Sequence, residues 1–160
     1  MIVSYVNFAY FREEGIKAMW VQREIALLPR QRGFHLITEE IERQLPELND
    51  MALGVAHLFI LHTSASLSIN ENADPSVRSD MEAYFNQLIP ENEPYYRHVQ
   101  EGADDMPAHL KAICIGTDLT IPVAAGRFCL GTWQGVYLGE HRDQGGSRRL
   151  VVTLNGQGDD

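Results

Sequence analysis

Three histidines, His62, His98 and His109, each stand in or beside a polar loop at an expected element boundary. Three imidazoles suffice to hold a divalent ion with one coordination position left open for water or substrate. The alternative is three unrelated surface side chains, because no HExxH pair fixes two of them on one helix face. Glu71, Asp74, Asp104, Asp105 and Glu140 supply carboxylates that could orient such ligands, hold magnesium or serve as a general base. Arg142, Arg148 and Arg149 flank Gly145 and Gly146, so guanidinium groups and free backbone amides meet at one hairpin end. That combination suits an anionic oxygen, although solvated charges guarding a hairpin would give the same pattern.

These groups need elements to hold them. The densest polar stretch, HTSASLSINENADPSVRSD from His62 to Asp80, directly follows the apolar run Leu58-Phe59-Ile60-Leu61. Asp74 is the expected N-cap and Pro75 the first helical residue, so the stretch reads as a buried strand, a polar turn and a helix carried by Val77, Met81 and Leu88. Upstream, Trp20 to Leu28 alternates as a strand with Val21 and Ile25 on one face, and Gly33 to Ile37 reads as a second, shorter strand. Thr38 is the expected N-cap of one amphipathic helix whose stripe of Ile37, Ile41, Leu45 and Leu48 faces the core. Gly54 to Leu61 reads as an inner strand interrupted by His57, a histidine expected to be satisfied in the core or at an interface.

The loop from Glu91 to Glu101, with Tyr95, Tyr96 and His98, has no period and suits a subunit contact or pocket wall. Asp104, Asp105 and Pro107 open a third helix with His109 in its first turn. Beyond Leu119 the pattern predicts three antiparallel strands in meander order, with Pro122 at an edge or bulge and close backbone approach at Gly131, Gly135 and Gly139. The expected fold is α+β, a largely antiparallel, sandwich-like core with about three short helices.

At 160 residues the chain suits one domain, and with 44% hydrophobic and 22% charged residues it has the composition of a soluble globular protein. Its apolar runs fall short of the roughly 20 residues that span a bilayer, so no membrane partner is expected. The opening MIVSYVNFAYFREEG lacks a basic leader and a small-residue cleavage site, which makes the cytoplasm the expected location. A net charge of −9 repels phosphate backbones, so no nucleic-acid partner is expected either. Cys114 and Cys129, without a CxxC pair, fit small core residues better than a zinc ribbon. The absence of GxSxG, Walker A and GxGxxG patterns sets aside α/β-hydrolase, P-loop and dinucleotide-binding chemistry.

The segments RGFHLIT, HTSASLSINENADPSVRSDME, EGADDMPAH, GTWQGVYLGEHR and GGSRR, in this order and separation, closely resemble the YjbQ family, described as secondary thiamine-phosphate synthases. The resemblance runs from Met19 to Gly156, leaving 1–18 as an extension and 157–160 as a tail. It implies a compact α+β fold with a large β-sandwich component, a homotrimer, and candidate sites near subunit boundaries. It also implies one shared site for His62, Asn70, Glu71, Asp74, His98, His109, Trp133, Gln134 and Glu140. Ala73 stands where close relatives often carry cysteine, which removes a catalytic thiol.

For thiamine-phosphate synthesis, Glu71, Asp74 and Glu140 would act as catalytic carboxylates around magnesium. Arg148, Arg149, Asn70, Trp133 and Gln134, with the hydroxyls of Thr63, Ser64 or Ser66, would bind the phosphorylated substrate and stabilise the leaving pyrophosphate. Two other readings stay open. One is a hydrolase of a small phosphate ester with zinc on His62, His98 and His109 and Glu71 or Glu140 as base; the other is a noncatalytic trimeric module that binds a metabolite or metal.

Overall fold

In the computed structural model, which describes residues 7–9, 12–13 and 16–158, the alternation noted from Trp20 begins earlier. Strand β3 (Ile16–Ala26) buries Met19, Val21 and Ile25 on one face and leaves Trp20 and Gln22 on the other. Two short strands, β1 (Asn7–Ala9) and β2 (Arg12–Glu13), pair antiparallel with β3. At three and two residues they are too short to show a period.

The chain continues through β4 (Gly33–Leu36), α1 (Thr38–Arg43), a 3₁₀ turn (Pro46–Asp50), β5 (Met51–Ile60), β6 (Ala65–Glu71), α2 (Pro75–Leu88) and α3 (Asp105–Ile115). It ends in β7 (Asp118–Ala124), β8 (Arg127–Phe128), β9 (Gln134–Glu140) and β10 (Arg149–Gly158). The larger sheet has the order β1-β3-β10-β5-β7-β8, with β2 also on β3; the smaller has the order β4-β9-β6. All the pairings are antiparallel. Met19, Val21, Leu58 and Leu150 from the large sheet meet Leu67, Val136 and Leu138 from the small one in a single apolar core. Helices α2 and α3 lie against β4 and β6. The α+β sandwich expected from the sequence is present.

Several local expectations change. The helix expected from Ile37 to Leu48 breaks before Pro46, whose ring cannot continue an α-helix interior, so α1 gives way to the 3₁₀ turn. The apolar stripe survives the break, with Ile37, Ile41, Leu45 and Leu48 all buried. Thr38 is not the cap; its hydroxyl accepts from the Val136 N–H at 2.9 Å and ties α1 to β9.

Most of the expected polar turn after His62 is strand β6, whose Ser66 is buried against His141. The expected meander does not form. β9 crosses into the small sheet between β4 and β6, and β10 returns to the middle of the large sheet between β3 and β5. Pro122 lies on β7 opposite Val55, and the two-residue β8 pairs only with Val123 and Ala124 beyond it, so the proline holds an edge position. Cys114 and Cys129 are exposed, not core residues. His57 is half-exposed on the outer face of the large sheet, where it meets Asp118 at 3.3 Å.

The close backbone approach expected at Gly131, Gly135 and Gly139 is instead crowding by side chains: a Cβ would strike Leu36 at Gly135 and Ser66 and His141 at Gly139, while Gly131, before β9, meets only the Gln134 side chain. The tightest approach lies elsewhere: Gly54 and Gly156 face each other across β5 and β10, and a Cβ on either would enter the other strand's backbone.

Candidate functional site

The polar residues gather at opposite ends of β6. Glu71 pairs with Gln134 and Ala65 with Glu140, so the two carboxylates are six residues of strand apart, about 20 Å at the usual rise.

At the Glu71 end, Asp74 caps α2 by accepting from the Ser76 N–H at 2.8 Å, and that bond holds its carboxyl below the usual range. Glu71 Oε1 accepts from the Asp74 N–H at 3.2 Å. Asn70 Nδ2 meets Met81 Sδ, and its Oδ1 accepts from the Glu71 N–H. Gln134 Oε1 accepts from the Gly131 N–H at 2.8 Å, and exposed Trp133 uses its carbonyl to accept from the Asn72 N–H. These groups largely satisfy one another within a strand-to-helix junction.

At the other end, Glu140 closes β9 and Arg148 precedes β10, and both are buried. Arg148 Nε and Nη2 donate to the two Glu140 oxygens at 2.7 and 2.6 Å, a bidentate pair. Arg148 Nη2 also donates to Ser64 Oγ at 3.2 Å. Gly145 lies over the carboxylate so closely that a Cβ would collide with it. Arg149 points outward and pairs with Glu24 at 3.0 Å.

His62 stands beside this pair. Its Nε2 accepts from the Arg149 backbone N–H at 2.8 Å, so the proton of the neutral ring is on Nδ1. Nδ1 faces Arg148 Nη1 at 3.4 Å, two donors with no acceptor between them. Burial, and then the neighbouring Arg148 and Arg149, keep the imidazole neutral by pushing its pKa down. With one nitrogen committed and the other facing a guanidinium, His62 is a poor cation ligand, contrary to its expected place among metal-binding histidines.

The acceptor cluster forms without it. Asp105 opens α3 fully buried, and His109 lies one turn on. Asp105 Oδ1 accepts from Arg142 Nη1, and Arg142 Nε donates to Asp104 at 2.8 Å. The ring of His109 donates from Nδ1 to the Thr63 carbonyl at 3.0 Å, which leaves a lone pair on Nε2. That lone pair lies 3.6 Å from Asp105 Oδ2, and His98 Nε2 lies 2.7 Å from the same oxygen. Asp105 Oδ2 is buried without an aligned hydrogen bond. The ligand atoms of His98, Asp105 and His109 all fall within 4.8 Å of one another. With His98 Nε2 deprotonated, these two imidazoles and one carboxylate could hold zinc or another transition metal; with it protonated, the same atoms make a His98–Asp105 ion pair.

A cavity of about 790 Å³ borders this end, lined by His62, Thr63, Ser64, His109 and Arg148 on its polar side and by Phe59 and Ile113 on its apolar side. Residue type and spacing assign no role to His141 or Lys111, both of which are buried. His141 Nε2 meets Ser66 Oγ at 2.8 Å, and Lys111 donates to Asn86 Oδ1 at 2.5 Å. A histidine directly after a carboxylate at a strand end was the available signal for the first; nothing local marks the second.

A two-sheet α+β protein with buried ionic groups at one sheet end is the class that fold and site define. The chain matches the family model described as UPF0047 protein YjbQ-like over residues 23–157, and it belongs to that family. It is 52% identical over 139 residues to UPF0047 protein YjbQ of Escherichia coli, covering 87% of this chain and all of the relative. To a UPF0047 protein of Synechocystis it is 41% identical over 136 residues, 84% of this chain and 92% of the relative. Among solved structures, a conserved hypothetical protein from Thermus thermophilus superposes with a TM-score of 0.72 at 34% identity, covering 82% of this chain and 98% of the other. Among the described residues no helix is long and apolar enough to cross a membrane.

Proposed function

We propose that the protein is a metal-dependent hydrolase of a small phosphate ester, with the ion on His98, Asp105 and His109. The observation that carries this reading is the convergence of His98 Nε2 and the His109 Nε2 lone pair on the buried Asp105 Oδ2, all within 4.8 Å of one another. A bound divalent ion supplies Lewis acidity toward a phosphoryl oxygen. The chain's own groups do the rest. Thr63 fixes the His109 tautomer, Arg142 holds Asp105 from its other oxygen, and Ser64 and Arg148 face the cavity as donors to a phosphate.

Thiamine-phosphate synthesis, which the family resemblance implies, is the second reading. It is favoured by the donors at Arg148 and His62, which suit a leaving pyrophosphate. It would need magnesium on carboxylates, whereas Glu71 and Asp74 lie at the far end of β6 and Glu140 is committed to Arg148.

Metal analysis of the purified protein tests the proposal. Stoichiometric zinc is expected, with affinity lowered at least about a hundredfold in Asp105→Asn, since loss of even an outer-shell partner of a metal ligand commonly costs 10–100-fold. Phosphate-ester turnover should vanish with the metal. Equal zinc in the wild type and in Asp105→Asn would sink the site.

The assembly we propose is a homotrimer. Trp20, Leu53 and Val55 are 51%, 59% and 40% exposed on the outer face of the large sheet, at the end away from the cavity. Apolar side chains grouped on an open sheet face suit a subunit contact. Light scattering should give the mass of three chains, reduced in Trp20→Asp; a monomeric wild type would end the idea.

A further inference from the structure

The donors at His62 and Arg148 are the mirror image of the acceptors at Asp105 and His109. Because His62 Nε2 is occupied by the Arg149 N–H, its Nδ1–H must point at Arg148 Nη1, 3.4 Å away. Two N–H groups directed at each other repel unless an acceptor lies against both. Arg148 cannot turn aside, because Glu140 grips its Nε and Nη2 and the residue is 5% exposed. Its Nη1 is therefore aimed by a buried clamp, and both groups line the cavity.

The opposite wall has a different chemistry. Phe59 and Ile113 are 42% and 80% exposed, although each borders the cavity beside buried Ala112. A ligand of phosphate alone would leave that wall bare, and burying it is worth about 25 cal/mol for each Å² covered.

We propose that this cavity takes an anionic small molecule with an apolar, preferably aromatic, body. The anion accepts from His62 Nδ1–H and Arg148 Nη1, with Ser64 beside them, and the body lies on Phe59 and Ile113. This names the substrate class for the hydrolase reading and depends on that reading only for turnover, because the grip on the anion uses no metal.

Phenylphosphonate and methylphosphonate, whose P–C bonds resist hydrolysis, separate the two ideas. Calorimetry on the full chain, stripped by chelator and again with zinc restored, should show phenylphosphonate binding about tenfold tighter in both states. The exposed position of Ile113 lets Ile113→Ser fold, and that variant, which adds no charge beside the anion, should lose most of the preference while keeping its methylphosphonate affinity. Nitrogen NMR of the wild type should find the His62 proton on Nδ1 and the Nδ1 resonance shifted by either phosphonate.

Equal affinities for the two phosphonates, or a preference unchanged in both Ile113→Ser and Phe59→Ser, would overturn the assignment. So would a proton on Nε2. Failure to bind zinc with the preference intact removes only the hydrolase reading; zinc binding with no preference removes only this one.

Discussion

Glu140→Gln should destabilise the protein by about 3–5 kcal/mol, because removing one member of a buried ion pair leaves the other charge uncompensated. Glu140 is 0% exposed and holds both Arg148 Nε and Nη2, so no water can take its place at the guanidinium. Gly145 closes over the same carboxylate and leaves no room for an alternative rotamer. For a chain of this size the loss corresponds to a fall in Tm of roughly 10 °C or more. Denaturant titration would measure it, and replacing both partners by Glu140→Leu and Arg148→Met should cost less than the sum of the single changes. A Glu140→Gln variant as stable as the wild type would mean that the pair carries no such energy.

The second large effect is acid sensitivity from His141. Burial, then the Lys111, Arg148 and Arg32 cations, push the imidazole pKa down from its ordinary 6.5 to about 3. Between those values the unfolded chain binds a proton that the folded chain refuses, so stability rises with pH across the window. The contribution is full above about pH 6.5 and is lost as pH falls toward 3, amounting to about 5 kcal/mol at most. His141→Leu leaves the Ser66 hydroxyl without its partner and should be less stable than the wild type at pH 7 by about 1–3 kcal/mol. As pH falls to 4 that gap should close and then reverse, as read from urea midpoints at several pH values. Parallel curves would show that His141 does not titrate on unfolding.

Much of the fold could be read from local pattern. The alternation around Val21 and Ile25, the stripe from Ile37 to Leu48, and the Asp74-Pro75 helix start are all where the residues imply, because each depends on neighbours within a few positions. What escaped depends on distant partners. Ser66 looked like loop polarity because the residue that buries it, His141, lies 75 positions away. The meander after Leu119 failed because β9 pairs with β6 and β4 and not with its neighbours in sequence.

For the site, Asp105 and His109 stand one helical turn apart with His98 beside them, a grouping in which the sequence marked the two histidines but not the aspartate as a ligand. His62 does not join them, because a backbone N–H from Arg149 occupies the lone pair a metal would need. Histidine type alone does not reveal where its proton sits. The single site expected for Glu71, Asp74 and Glu140 divides for a simpler reason: β6 separates its ends by its own length.

The central position of β10 governs how the molecule can be born. Arg149–Gly158 follows every other described strand in chain order, yet it forms the seam joining β3 to β5. On the ribosome, β1 to β3 and the β5-β7-β8 set therefore wait as two separate halves of the large sheet with exposed edges. Closure comes only when that strand emerges, with the nonlocal pairing that slows folding and invites chaperone attention.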